Sequence, residues 1–113
     1  MSDRLPSGVL VGAALRRVND AGGLATVLAK GDAQAGAILV ITLEKGENPR
    51  AWERGMSRSG ADELIPVGPQ PPDNIKDLET YWRRRRAQDP DLWVIELDIA
   101  SAERFAAETI LAG

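Results

Sequence analysis

The run GAILVITL, residues 36–43, decides how the rest of the chain is read. Taken as a strand, it has Ile38 and Val40 on one parity and Ala37, Leu39, Ile41 and Leu43 on the other, so both faces are apolar. A strand with one wet face alternates; a strand that does not alternate is covered on both sides. The run is also short, with a glycine in front and the turn-forming EKGENP (44–49) behind, which favours strand over helix. It belongs at the centre of a sheet with material packed above and below.

Residues 24–30 (LATVLAK) and 50–56 (RAWERGM) read as its flanking strands. The connections GDAQA and EKGENP are short and rich in turn formers, which predicts two antiparallel hairpins. KGDAQAG (30–36) has the look of a glycine-bearing loop, but it lacks phosphate-loop spacing and a following Lys-Ser/Thr, so it reads as a hairpin turn. The third strand carries Arg50, Glu53 and Arg54 and suits a more exposed position.

Ahead of the strands, Ser7 is placed to cap a helix running to about Asn19, with Val11, Ala14, Leu15 and Val18 on its inner face. A strand over GVLVGA with a shorter helix behind it is the competing reading. Beyond the strands, residues 57–73 hold four of the seven prolines and read as a surface loop. The PxxP spacings Pro66 to Pro69 and Pro69 to Pro72 are read there as rigid connection rather than as a polyproline ligand. A second helix, capped at Asp73, buries Ile75, Leu78 and Trp82 and ends before Asp89-Pro90. The strand LWVIELDI (92–99) follows, and then a helix capped at Ser101, with Ala102, Phe105, Ala106, Thr109 and Ile110 inward. The predicted order is α-β-β-β-α-β-α. That is an α+β fold: a mainly antiparallel four-stranded sheet packed by three helices, in one domain over residues 1–113.

The composition narrows function mainly by exclusion. The chain contains no cysteine and no histidine, so it has no thiolate, no disulfide and no imidazole base or ligand. Ser-His-Asp, Cys-His and histidine–metal chemistries are thereby excluded within one chain, and neither a cofactor nor a metal is expected. The apolar stretch from Val9 to Leu15 is too short to span a bilayer and is followed by Arg16 and Arg17. It also lacks the order of a secretion signal. A cytoplasmic protein with no membrane contact is expected.

Four arginines, Arg83 to Arg86, stand behind Tyr81-Trp82 and invite a nucleic-acid reading. The charge balance opposes it. Residues 1–72 carry eight basic and eight acidic side chains, and residues 73–113 carry six and nine, so the run lies in the acidic part. Acids at the helix start and arginines at its end match the helix dipole, while Glu79–Arg83 and Arg85–Asp89 have ion-pair spacing. The run reads as a solvated helix end, and nucleic acid as an unlikely partner. Glu96 and Asp98 share a strand face and could hold a divalent cation, but that face reads as emerging into solvent. The element order is similar to that of restriction-type nucleases. However, Glu53-Arg54-Gly55 puts glycine where their motif needs lysine, so no activity is inferred.

VGAALRRVNDAGG (11–23), LAKGDAQAGAILV (28–40) and the spacing of residues 89–111 resemble a family of short bacterial proteins classified only as a domain of unknown function. The resemblance implies a cytoplasmic bacterial protein, complete as it stands, and brings no catalytic residues. The leading expectation is therefore a non-catalytic protein-interaction module with a protein partner or as a homodimer. Its candidate surface is Arg16, Arg17, Trp52, Arg54 and Arg84, because Arg and Trp dominate binding hot spots. The alternatives are a binder of a phosphate-bearing ligand through the arginines and, behind it, a carboxylate- and metal-dependent hydrolase.

Overall fold

The computed structural model describes residues 5–69 and 74–111. Helix α1 (Ser7–Asp20) leads into strands β1 (Leu24–Ala29), β2 (Ile38–Glu44), β3 (Glu47–Met56) and β4 (Asp62–Val67). Helix α2 (Ile75–Gln88), strand β5 (Trp93–Asp98) and helix α3 (Ala102–Ile110) complete the order. The five strands form one mixed sheet in the order β1-β5-β2-β3-β4. The doubly apolar strand does sit at its centre. Ile38 and Val40 enter a core with α1 and α3, and Leu39 and Ile41 enter a second core with Leu78 and Trp82 of α2. Helices therefore cover both faces of the sheet.

Two expectations are corrected and a third is refined. The sheet has five strands, not four, because β4 lies inside the stretch read as a loop. Pro66 masks it in sequence, yet at a sheet edge a missing backbone N–H costs no ladder bond. The sheet is mainly antiparallel, as expected, but mixed, since β2 and β5 run parallel. Finally, β1 and β2 are not a hairpin. β5 is inserted between them, antiparallel to β1, and residues 30–37 cross over its first residues. Crossing one intervening strand spans roughly 10 Å, well within the reach of eight residues.

That crossing explains two glycines. A Cβ on Gly31 or on Gly36 would lie far inside van der Waals contact distance of the Asp91 carbonyl oxygen. The same carbonyl accepts the Asp32 N–H at 3.0 Å, while the Asp32 carboxylate holds the Gln34 and Ala35 N–H groups. Trp93 Nε1 donates to the Asp32 carbonyl at 2.7 Å, and the Ser7 hydroxyl donates to the Gly36 carbonyl at 2.6 Å. Ser7 is thus the first helical residue rather than the cap, with Pro6 at the cap position. Its hydroxyl fastens the loop instead.

The predicted β2–β3 hairpin is present. Lys45 and Gly46 both have positive φ, at 53° and 75°, as a two-residue type I′ turn requires. At α2 the cap is Asn74, one residue after the expected Asp73, which lies outside the described residues, as does Pro72. Asn74 and Asp77 exchange side chain-to-backbone hydrogen bonds in a capping box. Ile75, expected inward, is exposed, so burial on α2 begins at Leu78. Ser101 does precede α3, but in a left-handed conformation and without a capping hydrogen bond from its hydroxyl.

Candidate functional site

The last turn of α2 brings the arginine run against the sheet. Arg85 forms a two-pronged contact with Glu53 of β3, at 2.7 and 3.1 Å, and also donates to the Tyr81 hydroxyl at 2.9 Å. Both ends of this ion pair are mostly buried. The hydrogen bonds that Arg85 donates to Glu53 hold the guanidinium's pKa above its ordinary value, against the opposing effect of burial. Arg85 was expected to meet Asp89. An exposed i,i+4 pair contributes little, whereas a planar, doubly bonded and partly buried pair contributes more, and the second geometry is the one found. Asp89 accepts the Asp91 N–H instead.

The neighbouring arginines divide. Arg83 bonds Glu79 at 3.0 Å, as expected from the spacing, and lies over the Trp82 ring. Arg86 donates to the carbonyls of Lys30, Pro90 and Leu92, tying α2 to the ends of β1 and β5. Arg84 is exposed and has no partner among the described residues. The run therefore clamps α2 onto three strands. We expect Arg85→Ala and Glu53→Ala each to cost about 2 kcal/mol, because each strands a half-desolvated charge. The double variant should cost little more than either single one, giving a coupling of about 1–2 kcal/mol in urea melts. Strictly additive losses would show that the pair is not coupled.

The five residues proposed from sequence do not form one surface. Arg16 is exposed on α1. Arg17 pairs with Glu108 at 3.2 Å and lies over the Phe105 ring, tying α1 to α3. Trp52 is half-buried against the α1–α3 core, and its Nε1 donates to the Thr42 hydroxyl at 2.9 Å. Arg54 reaches Asp62 at 2.8 Å and the Ile110 carbonyl. Arg84 lies on α2, across the sheet from the other four. Three of the five thus have architectural partners.

The carboxylate pair also resolves into structure. The two oxygens of Asp98 accept the N–H groups of Lys45 and Gly46, at 2.7 and 2.9 Å, and so cap the type I′ turn. Glu96 is half-buried beside it, and its pKa is raised first by that burial and then by the charge of Asp98. A carboxyl raised in the folded state holds its proton to higher pH than in the unfolded chain. Its effect is nil where both forms are protonated, and it becomes destabilising as pH climbs through the carboxylate range. Glu96→Gln should therefore raise the unfolding free energy from urea melts at pH 7, by less than about 1 kcal/mol given its partial exposure, and change it little at pH 3.5. A loss of stability at pH 7 would contradict this.

A cavity of about 450 Å³ lies beside α1, lined by Ser7, Leu10, Gln34, Ile38, Arg54 and Ile110 among others. The Ser7 hydroxyl and the Arg54 guanidinium are already engaged. What remains open elsewhere is an edge. Among the described residues β1 pairs only with β5; no charge lies between Leu24 and Ala29, and Leu24, Val27 and Leu28 are 71%, 36% and 36% exposed. The opposite edge, β4, carries Asp62, Glu63 and Pro66, devices that discourage a further strand. Sequence reasoning treated LATVLAK as a hairpin strand flanking GAILVITL and overlooked this contrast, although the absence of charge from Leu24 to Ala29 was visible in it.

A mixed five-stranded sheet with α1 and α3 on one face, α2 on the other and one unguarded edge defines a small α+β class. The chain belongs to the family described as "Protein of unknown function (DUF1491)", whose model matches residues 5–107. It is similar to the crystal structure of a DUF1491 family protein from Caulobacter crescentus. Identity is 30% over 90% of this chain and 94% of that one, with a TM-score of 0.79. An NMR structure of a DUF1491 family protein from the same organism shows 31% identity over 89% and 91%, with a TM-score of 0.74. A solution structure of an A. tumefaciens protein shows 28% identity over 84% and 86%, with a TM-score of 0.65. No curated protein matches the chain.

Proposed function

We propose that this domain is a non-catalytic protein-interaction module of the bacterial cytoplasm, and that it makes its contact by strand addition along β1. The open edge carries this reading: an uncharged strand with exposed Leu24, Val27 and Leu28 offers a ready template for main-chain pairing. The chain's lack of histidine and cysteine supports a role without catalysis, as does the engagement of Arg54, Arg83, Arg85 and Arg86 in internal bonds. Among the described residues no helix is long and apolar enough to cross a membrane.

The test is photocrosslinking in living bacterial cells. A photoreactive residue is placed at Leu28 on the open edge, at Ile65 on the guarded edge, or at Arg84 on α2. Adducts from position 28 alone are expected. Adducts from positions 65 or 84 only, or from none, would overturn the proposal.

A further inference from the structure

We infer that the cavity beside α1 is a binding site for a small aliphatic carboxylate, with its oxygens on Arg54 and its hydrocarbon among Leu10, Ile38 and Ile110. This goes beyond the strand-addition reading and does not rest on it. The site exists because the sheet is interrupted there. The β2–β3 ladder starts at Leu39 and Glu53, whereas β3 stays paired with β4 as far as Met56 and Asp62. The chain ahead of Ile38 turns away to cross β5, so among the described residues Arg54 to Met56 have a strand on one side only. The cavity opens in that gap, between Gly36–Ile38 and Glu53–Arg54, and is closed by Leu10 of α1 and Ile110 of α3. Its volume of about 450 Å³ lies within the roughly 300–1,000 Å³ usual for small-molecule sites.

The lining is divided between hydrocarbon and one cation. Leu10, Ile38 and Ile110 are themselves buried and form its apolar part, while Leu5, also in the lining, is half exposed and would be covered by an occupant. Two charged residues line the cavity, and the carboxylate of one, Glu53, is held on the other face of the sheet by both prongs of Arg85. Arg54 is less completely engaged. Its guanidinium gives one N–H to Asp62 and one to the Ile110 carbonyl, so three of its five have no partner among the described residues.

The chemistry of the occupant follows from those donors. A fixed cation with unmet N–H groups favours an anionic acceptor, and the planar guanidinium fork matches the two oxygens of a carboxylate. Asp62 and the Ile110 carbonyl already hold the head group in place, so little ordering is lost on binding. A phosphate fits less well, because its greater charge calls for further cations and the lining holds none besides Arg54 among the described residues. A hydrocarbon tail covers the apolar side chains that otherwise face water. Asp62 offsets part of the charge, so affinity is modest. For a six-carbon acid a dissociation constant of about 0.1–1 mM is expected.

Titration of hexanoate into the nitrogen-15-labelled chain, followed by NMR at neutral pH, tests this. Amide shifts are expected at Gly36, Ile38, Arg54 and Ile110, and none at Leu28 on the β1 edge. Acetate, which lacks the tail, and hexanamide, which lacks the charge, should each bind at least about ten-fold more weakly. Hexanoate should lose as much on Arg54→Gln, with a melting curve to confirm that the variant folds; the hexanamide comparison puts the same question to the native chain. N-acetylleucine stands for the last residue of a peptide. Whichever acid binds tighter assigns the source of the carboxylate, a chain terminus or a free acid. No shifts at these four residues with either acid at about 10 mM, ten times the weak end of the range, overturns the inference. So does binding that is as tight for hexanamide, or for the folded Arg54→Gln variant, since Arg54 would then have no part in it.

Discussion

Gly36→Ala lowers stability by about 3 kcal/mol or more, a fall in melting temperature of roughly ten degrees or beyond. The reason is contact with backbone that cannot step aside. The new methyl would collide with the Asp91 carbonyl oxygen and stand 2.9 Å from both the Asp32 nitrogen and the Asp32 carbonyl oxygen. Asp91 cannot retreat, because Leu92 and Trp93 behind it are buried and the Trp93 N–H is bonded to the Ala37 carbonyl at 2.8 Å. The loop cannot lift either without breaking the Ser7–Gly36 and Trp93–Asp32 hydrogen bonds. Gly31→Ala should behave similarly, since it meets the same carbonyl. Gly12→Ala is the control. Its methyl meets only the end of the Arg16 side chain, at 3.5 Å, within a helix, so it should stabilise by up to about 1 kcal/mol. Thermal melts of the three variants decide the matter. A Gly36→Ala protein that melts with the native chain would mean the loop does not lie on β5.

How much of this was legible in the sequence depends on how far apart the interacting residues lie. GAILVITL placed its own strand at the sheet centre because burial on both faces is written in consecutive residues. The inward stripe of α3 was legible for the same reason: Ala102, Ala106, Thr109 and Ile110 are all buried. Topology was not, because a short connection such as GDAQA shows only that two strands lie near each other. Whether a third strand slides between them is decided by β5, which begins more than fifty residues later. β4 was lost to the opposite error, in that proline and acids were read as loop where they protect an edge.

The candidate site shows the same division. Glu79–Arg83 was predictable from spacing and is present, whereas the partner of Arg85 lies 32 positions upstream and no local pattern points to it. Asp98 was read as a carboxylate emerging into solvent; it caps a turn more than fifty positions away. Hot-spot composition likewise selected Arg17, Trp52 and Arg54 for what they are, without seeing that Glu108, Thr42 and Asp62 would claim them. The open edge differs in kind. It is defined by charges that are missing, and that absence gains meaning only once β1 is known to lie outermost.

Leu39→Ala is the second large effect expected, at about 3–4 kcal/mol. Leu39 has no exposed surface and lies between the central strand and α2, beside Leu78, Trp82, Leu92 and Val94. Removing three buried carbons costs about 2.4 kcal/mol in transfer alone, at about 0.8 kcal/mol each. The cavity left behind adds to this in proportion to how little the site can collapse. Here collapse is resisted, because Arg85 fixes α2 to β3 and Arg86 fixes its end to the carbonyls of Lys30, Pro90 and Leu92. The arginine clamp and the core beneath it should therefore be coupled. In the Leu39→Ala background, Arg85→Ala releases α2 to settle into the void, so the double variant should lose at least about 0.5 kcal/mol less than the sum of the singles. Leu24→Ala, at a position 71% exposed, should stay within about 0.5 kcal/mol of the native chain. Urea melts of the four variants test both points. Simple additivity would mean that α2 is held by its apolar face alone, and that Arg85 does not determine how closely the helix sits on the sheet.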